Sequence, residues 1–256
     1  MKPVYIIAEA GVNHNGNIDL AYKLVDIAVA ADADAVKFQT FITDKLVTKS
    51  AKKADYQIES GDSEETQYSM LKRLELKQSE FLDLQKYCLE KKIDFLSTAF
   101  DQESLNFLYK DLKLPMLKIP SGELTNAPFV LEHARTGCDL ILSTGMADME
   151  EIKMALSVIA YGLLNKTDRS TPSIASFKKA YKSKEGKEAL IKKVTILHCT
   201  TQYPTPLEDV NLNAIETIRN SLGLRVGYSD HTQGITVPIA ATALGATIIE
   251  KHFTID

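Results

Sequence analysis

Two lysines, Lys37 and Lys118, end short apolar runs and stand beside hydroxyl or amide side chains. Such a lysine can attack a carbonyl carbon as a Schiff-base nucleophile or bind a phosphate group as a cation. Hydroxyl side chains recur at comparable positions, at Thr98, Ser121, Ser143 and Ser229. Neutral hydrogen-bond donors favour a site for a doubly charged phosphate over a site for imine formation, because an imine-forming lysine needs a desolvated amine. We therefore predict phosphate binding.

Two histidines, His231 and His252, end consecutive apolar runs that are one short βα step apart. If those runs are adjacent parallel strands, both side chains can reach one point, which is the arrangement of a metal site. Water and substrate oxygens would complete the shell, which favours Mn²⁺, then Mg²⁺ or Co²⁺, over a structural zinc. A pair of phosphate-binding imidazoles is the alternative. Asp230 either orients His231 or fixes the turn.

Alternating apolar runs and amphipathic stretches must position these residues. The pattern is typical of βα units on a parallel sheet. Eight runs are predicted as strands, at 4–8, 35–38, 95–97, 116–119, 140–142, 194–197, 225–227 and 247–249. Helical spacing predicts helices at 20–31, 79–91, 104–110, 149–163, 212–222 and 235–244. We therefore predict a (β/α)8 TIM barrel that occupies residues 1–256 as one catalytic domain.

Polar side chains follow all eight runs, as expected where the carboxyl ends of barrel strands surround one pocket. Besides the residues above, they include Glu9, Gln39, Glu123 and Tyr203. A barrel that serves only as a scaffold has no reason to place polar residues in this way. We therefore predict an active site at this end, although Glu123 also suits a helix N-terminus, where it would interact with the dipole.

Two stretches interrupt the regular period. Residues 41–76 form a polar, partly helical insertion after the second run, where functional loops and lids lie in barrels. Residues 165–192 are rich in Lys, Ser and Thr, and we expect them to form a solvated surface before the sixth strand. Only His252 to Asp256 follow the eighth run, so we expect the eighth helix to lie beyond this sequence.

Composition excludes several classes of function. Hydrophobic residues make up 45% and charged residues 25%, which is ordinary for a globular protein with a full core. A net charge of -4 provides no basic field for nucleic acid. Three widely spaced cysteines and the lack of a long apolar run favour a cytoplasmic protein over a secreted or membrane protein.

The remaining histidines and cysteines are expected to be structural. His198 and Cys199 are adjacent, and strand alternation sends adjacent side chains to opposite faces. We predict His198 inside the barrel as a packed or hydrogen-bonded residue and Cys199 in the core. His14 lies in a Gly/Asn-rich turn and contributes indirectly, and His133 is predicted on the surface of a helix.

The sequence resembles the N-acetylneuraminate, legionaminate and pseudaminate synthases. The motifs that carry the resemblance are 7–16, 36–40, 118–123, 198–200 with Tyr203-Pro204, 228–231 and 250–253. They follow one another in the order of that family and cover nearly the whole chain. Thr201 departs from the Asn of some members.

The resemblance implies a role for each matching residue. His231 and His252 would hold the metal, and Glu9, Glu123 and Lys118 would be catalytic. Phosphoenolpyruvate would contact Lys37, Thr98, Lys118, Ser121, Ser143 and Ser229. The amino sugar would contact Glu9, Gln39, Glu123 and Tyr203. The resemblance also implies a small antifreeze-like domain beyond residue 256 and a domain-swapped homodimer, in which the partner's cap supplies an arginine.

The implied reaction is the condensation of phosphoenolpyruvate with an N-acyl hexosamine, either N-acetylmannosamine or a diacetamido-trideoxyhexose, to a nine-carbon sugar acid. The metal would polarise the aldehyde, and phosphate would leave by C–O cleavage. Three alternatives remain: a related synthase that uses an aldose phosphate, a class I aldolase with Lys37 or Lys118 as imine lysine, and a non-catalytic sugar-binding barrel.

Overall fold

The fold is known from a computed structural model that describes residues 3–53, 65–168 and 170–255. Eight parallel strands follow the chain order around a closed barrel with helices outside it. The strands are β1 Tyr5–Gly11, β2 Ala35–Thr40, β3 Asp94–Ala99, β4 Met116–Ile119, β5 Asp139–Ser143, β6 Val194–His198, β7 Arg225–Asp230 and β8 Ile248–His252. Each predicted strand overlaps an observed one, so the predicted (β/α)8 barrel is confirmed.

A helix overlaps each predicted range, and Ala127–Arg135 is a further helix between β4 and β5. The helices include Ile18–Ala30, Gln78–Lys91, Gln102–Asn106, Ala127–Arg135, Met149–Leu164, Asn213–Leu222 and Thr236–Ala243. Side chains at their starts explain the boundaries. Asn17 Oδ1 accepts a hydrogen bond from Asp19 N at 2.8 Å, and Asp148 forms a capping box with Glu151 at the start of Met149–Leu164. These caps satisfy amide groups that the first helical turn leaves unpaired.

Two compact units make up the chain. The amino-terminal unit comprises Ala8–Lys113 with His252–Asp256, and the carboxyl-terminal unit comprises Met1–Ile7 with Leu114–Lys251. In the amino-terminal unit, β2 pairs with β3, and the core includes buried Phe38 of β2 and buried Leu24, Phe81 and Leu84 of the surrounding helices. In the carboxyl-terminal unit, β4 to β8 pair in order over buried Leu117, Ile119, Leu140 and Ile196.

Strand alternation is visible where β7 pairs with β8. Ser229 is opposite Glu250, and Ser229 Oγ donates to Glu250 Oε1 at 3.1 Å. The next pair along is Asp230 and Lys251, which form an ion pair of 2.5 Å between Oδ2 and Nζ. Because successive side chains point to opposite faces, these two contacts lie on opposite sides of the sheet. Glu250 therefore shares a face with Ser229.

The two ends of the insertion after β2 bind each other, and one of them packs against the turn after β1. Its described part contains the helices Thr43–Leu46 and Gln67–Leu74, whereas 54–64 lie outside the described residues. Glu75 Oε2 accepts hydrogen bonds from Thr43 N at 3.0 Å and Thr43 Oγ1 at 2.7 Å. At Gly16, a side chain would collide with the carbonyl of Arg73. The insertion therefore packs against the turn after β1, and its role as a lid stays a prediction.

The second insertion forms the helices Ile174–Lys182 and Lys184–Lys193 before β6. Their polar side chains are mostly exposed, but Phe177 is buried and its ring meets that of Tyr161 edge-on at 5.4 Å. Ala180 and Leu190 are also buried, so the segment is solvated on one side and packed on the other. Among the described helices, none has both the length and the apolar surface that crossing a bilayer requires.

The prediction that His133 lies on the surface is wrong, because the residue is completely buried. It follows Phe129 by one helical turn in Ala127–Arg135, and its Nδ1 lies 2.9 Å from the Phe129 carbonyl oxygen. That face of the helix packs against Met149–Leu164, where Gly162 approaches Ala134 so closely that a side chain would collide. Burial lowers the pKa of His133 from 6.5 to about 4.

This burial predicts acid sensitivity. In the unfolded chain His133 takes up a proton below pH 6.5, whereas the folded protein resists protonation until about pH 4. The stabilisation is therefore complete above pH 6.5 and is lost as the pH falls, at about 1.4 kcal/mol per pH unit. We expect urea unfolding of His133→Leu to depend less on pH between 6.5 and 4 than that of the parent chain. Equal pH dependence of the two proteins would contradict this account.

Candidate active site

In the amino-terminal unit, a group of four residues lies on β1, β2 and β3, and three of them, Glu9, Lys37 and Thr98, are buried. We call Glu9, Lys37, Gln39 and Thr98 the Lys37 cluster. Lys37 Nζ lies 2.7 Å from Glu9 Oε2 and donates to Thr98 Oγ1 at 2.9 Å. Gln39 Nε2 donates to Glu9 Oε1 at 3.4 Å. The structure therefore brings together four of the predicted site residues.

His252 lies beside the same cluster. A Cβ atom on Gly11 would be 3.4 Å from Glu9 Oε1, 3.5 Å from Gln39 Nε2 and 3.6 Å from His252 Cε1. The three side chains therefore converge on the Gly11 backbone, which has a φ of +54°. Glycine adopts this left-handed conformation without strain. The end of β1 thus provides a small, tightly bounded space next to one predicted metal ligand.

In the carboxyl-terminal unit, Lys118, Ser229 and Glu250 form a second buried group, which we call the Lys118 cluster. Lys118 Nζ donates to Glu250 Oε1 at 2.7 Å and to Oε2 at 2.9 Å, and Ser229 Oγ donates to Oε1 at 3.1 Å. Only 6% of each charged side chain is exposed. The Glu250 carboxylate thus accepts two hydrogen bonds from one ammonium group, and such charge-assisted bonds are stronger than neutral ones.

Glu250 was not among the predicted site residues. The signal that identifies it is strand alternation, because Glu250 is two residues before His252 in the strand that the histidine ends. A charged residue after two buried isoleucines also requires a partner, since an unpaired charge is costly to bury. The sequence contains both signals, but neither of them predicts that the partner is Lys118.

Three of the predicted hydroxyl positions of the carboxyl-terminal unit differ in their surroundings. Ser229 belongs to the Lys118 cluster, and Ser121 Oγ lies 3.3 Å from where a Cβ of Gly145 would be. Ser143 is 4% exposed, and its Oγ has no hydrogen-bond partner among the described residues. An unpaired buried hydroxyl costs free energy, and a ligand oxygen would remove that cost.

Cys199 lies beside this region. Its Sγ accepts a hydrogen bond from Gly145 N at 3.1 Å, and it is buried as predicted. Burial raises the pKa of the Cys199 thiol, whereas the charge of Lys118 opposes that rise. His198 is opposite Tyr228 in the sheet, on the face away from Ser229, and its Nε2 lies 2.8 Å from the Val210 carbonyl. The hydrogen bond of His198 was expected, but the prediction that His198 lies inside the barrel is wrong, because its side chain is on the face opposite to Ser229 and the Lys118 cluster. It is the buried Cys199 that lies near Lys118.

His231 follows β7 and is held from two sides. Its Nδ1 lies 2.6 Å from the Thr200 carbonyl oxygen, and the ring of Tyr203 lies over it with 4.1 Å between centroids. A carbonyl at Nδ1 selects the tautomer in which Nε2 carries the lone pair. Backing of this kind is usual for histidines that bind metal.

Only the chemistry of the imidazole rings supports His231 and His252 as metal ligands. Within 3–53, 65–168 and 170–255, no group of three or more His, Cys, Asp or Glu side chains has the spacing of a metal site. Two histidines with water and substrate oxygens remain compatible with a labile divalent ion. Asp230 accepts hydrogen bonds from Thr232 N at 3.1 Å and Thr232 Oγ1 at 2.8 Å, so it fixes the turn after β7.

Glu123 and His14 are each tied to neighbouring structure. Glu123 ends a short 3-10 helix, and its Oε2 accepts from Asn126 Nδ2 at 2.7 Å, just before the helix Ala127–Arg135. His14 is 1% exposed, its Nδ1 accepts from Gly16 N at 3.0 Å, and burial lowers its pKa to about 4. The first contact supports the helix-start interpretation of Glu123, and the second makes His14 part of the turn.

A cavity of about 570 Å³ in the carboxyl-terminal unit adjoins Cys199. Its lining is largely apolar and also includes the polar residues Thr144, Thr200, Thr201 and Asn211.

Comparisons with known proteins identify a family and several relatives that this chain resembles in sequence. Residues 24–256 match the model of the NeuB family. The chain is 44% identical over 256 residues to the N,N'-diacetyllegionaminic acid synthase of Campylobacter jejuni, a match that covers 100% of this chain and 69% of that protein. The enzyme of the same name from Legionella pneumophila is 44% identical over 252 residues, with 98% of this chain and 64% of the relative covered.

A solved structure supports the same relationship. The crystal structure of N-acetylneuraminic acid (sialic acid) synthetase from Leptospira borgpetersenii in complex with citrate superposes with a TM-score of 0.77 at 35% identity. The superposition covers 100% of this chain and 74% of that one. The chain therefore belongs to the NeuB family.

Proposed function

We propose that this protein condenses phosphoenolpyruvate with an N-acyl hexosamine to give a nine-carbon nonulosonate and phosphate. One observation carries the proposal. Lys118, which the sequence marks as a phosphate ligand, is buried at a strand end with a carboxylate and a hydroxyl beside it, in a chain of the NeuB family. A buried ammonium group with neutral donors nearby is suited to bind a phosphate ester.

Phosphoenolpyruvate would be bound by Lys37, Thr98, Lys118, Ser121, Ser143 and Ser229. The lysines would offset the charge of the phosphate and carboxylate groups, and the hydroxyls would donate hydrogen bonds. Ser143 adds support because its buried Oγ needs an acceptor or donor that the described residues do not supply. The hexosamine would contact Glu9, Gln39, Glu123 and Tyr203, with Glu9 or Glu123 moving protons.

His231 and His252 would hold the divalent metal, with Mn²⁺ as the first candidate. When bound, the metal would supply Lewis-acid polarisation of the open-chain aldehyde. The Thr200 carbonyl at Nδ1 orients His231 for this role.

The bond changes follow from the two substrates. C3 of phosphoenolpyruvate forms a bond with the aldehyde carbon, and the aldehyde oxygen takes up a proton to become a hydroxyl. Water adds at C2 and releases a proton, and the bond between C2 and the bridging oxygen then breaks. The new C2 hydroxyl loses its proton to leave a ketone, and the phosphate departs with the bridging oxygen. Lys37 and Lys118 stabilise the departing phosphate because their charges remain fixed beside it.

For the sugar, we propose a diacetamido-trideoxyhexose before N-acetylmannosamine. The two relatives with 44% identity are named as N,N'-diacetyllegionaminic acid synthases, which favours that class.

The test is phosphate release from phosphoenolpyruvate with a panel of aldoses that includes both sugars and an aldose phosphate. We expect release to require an N-acyl hexosamine and Mn²⁺, to stop with a chelator, and to be fastest with the diacetamido sugar. Label at the bridging ¹⁸O should appear in the phosphate. Release with the aldose phosphate alone, or trapping of a substrate on lysine by borohydride, would show one of the rival chemistries instead.

A further inference from the structure

The turn after β1 touches the chain just beyond His252. Asn13 Nδ2 donates a hydrogen bond of 2.6 Å to the carbonyl oxygen of Phe253, the residue that follows His252. Phe253 N in turn donates to the Glu9 carbonyl at 3.3 Å. Both backbone polar groups of Phe253 are therefore bound by residues of β1 or its turn, within the amino-terminal unit.

These contacts begin where the pairing of β8 with β7 ends. The last described partners of those strands are Asp230 and Lys251, so His252 is one residue past that register. On the side of β1, the chain after His252 is held by the bond from Phe253 N to the Glu9 carbonyl and by the bond from Asn13 to the Phe253 carbonyl. The side chain of Asn13 supplies the donor that a backbone N–H would supply in a longer ladder.

Asn13 is itself held firmly. Its N–H donates to the Ala10 carbonyl at 2.9 Å, and Asn17 N donates to the His14 carbonyl at 2.8 Å. The buried ring of His14 binds Gly16 N, which closes the turn from inside. A side chain on so constrained a turn can fix the position of whatever it binds.

We propose that Asn13 is a positioning residue that holds His252 against the Lys37 cluster by binding the carbonyl of Phe253. The inference rests on the proposed function, in which His252 is a metal ligand. The ring of His252 already converges with Glu9 and Gln39 on Gly11, so a small shift of the strand end changes where its nitrogens point. Loss of such a supporting contact typically lowers metal affinity about 10- to 100-fold.

The test compares Asn13→Ala with Asn17→Ala in the full chain. Asn17 is in the same turn and caps the helix Ile18–Ala30, so its loss costs stability without touching Phe253. Mn²⁺ affinity is measured by titration with electron paramagnetic resonance, and hydrogen exchange of the Phe253 amide is followed in the metal-free protein. We expect Asn13→Ala to weaken Mn²⁺ binding about tenfold or more and to speed this exchange, whereas Asn17→Ala does neither.

Each outcome decides between the two proposals. If His252→Ala, measured alongside, binds Mn²⁺ like the parent chain, the metal assignment in the proposed function is wrong. If His252→Ala weakens binding but Asn13→Ala and Asn17→Ala behave alike, only the positioning role is wrong. Should Asn13→Ala not fold, Asn13→Ser is measured instead, since serine suits a turn but is too short to reach the Phe253 carbonyl.

Discussion

Lys118→Met should raise the Kd for phosphoenolpyruvate about 30-fold or more, since losing one partner of a buried charge pair costs about 2–5 kcal/mol. Two effects act together. The variant lacks the cation proposed to bind the phosphate, and it leaves the Glu250 carboxylate buried without the two bonds of 2.7 and 2.9 Å that it accepts from Lys118. An unpaired carboxylate would also repel an anionic substrate. Binding is measured by calorimetry in the absence of sugar.

A double variant separates ligand binding from stability. Combining Lys118→Met with Glu250→Gln removes the buried unpaired charge, so most of the lost stability in urea should return. The affinity for phosphoenolpyruvate should return only in part, because the repelling carboxylate is gone but the cation is still missing. Lys153→Met is the control, since Lys153 forms an exposed ion pair with Glu150 on a helix. If the double variant binds phosphoenolpyruvate with wild-type affinity, Lys118 does not bind the phosphate.

The barrel was predictable because each of its strands contains a run of apolar residues. The strand ends were not, since β1, β7 and β8 extend to Gly11, Asp230 and His252 and all three predicted runs stop earlier. The hydrogen-bond ladder depends on the backbone and continues through polar side chains, whereas the apolar pattern ends with the buried residues. In an enzyme barrel those last polar residues are the ones that face a ligand.

The two lysine clusters show what a sequence leaves open. Alternation places Lys37 and Gln39 on one face of β2, and the register with β3 puts Leu96 and Thr98 opposite them. Alternation does not predict which carboxylate pairs with Lys118. The partner is Glu250, 132 residues away in the chain, whereas Glu123, which is much nearer in sequence, binds Asn126. Such pairing depends on barrel closure, which local patterns do not encode.

The second large effect is expected at His231. His231→Ala should lower Mn²⁺ affinity about 100-fold or more, above the loss typical of a merely supporting residue, and abolish phosphate release. The fold should survive, since His231 is only partly buried and its ring packs on Tyr203 rather than in the core. Calorimetric titration with Mn²⁺ and the phosphate-release assay measure the two effects.

His198→Ala is the matched control for this experiment. His198 ends the neighbouring strand β6, and its Nε2 lies 2.8 Å from a backbone carbonyl, much as Nδ1 of His231 does at 2.6 Å. The two substitutions therefore remove the same ring and a similar hydrogen bond, so they should cost comparable stability. The two histidines differ in the face of the sheet on which they lie. His198 is opposite Tyr228, whereas His231 is two residues after Ser229 and so belongs to the same face as Ser229. If the two variants lose Mn²⁺ affinity equally, the effect comes from packing at the strand ends, and His231 is not a ligand.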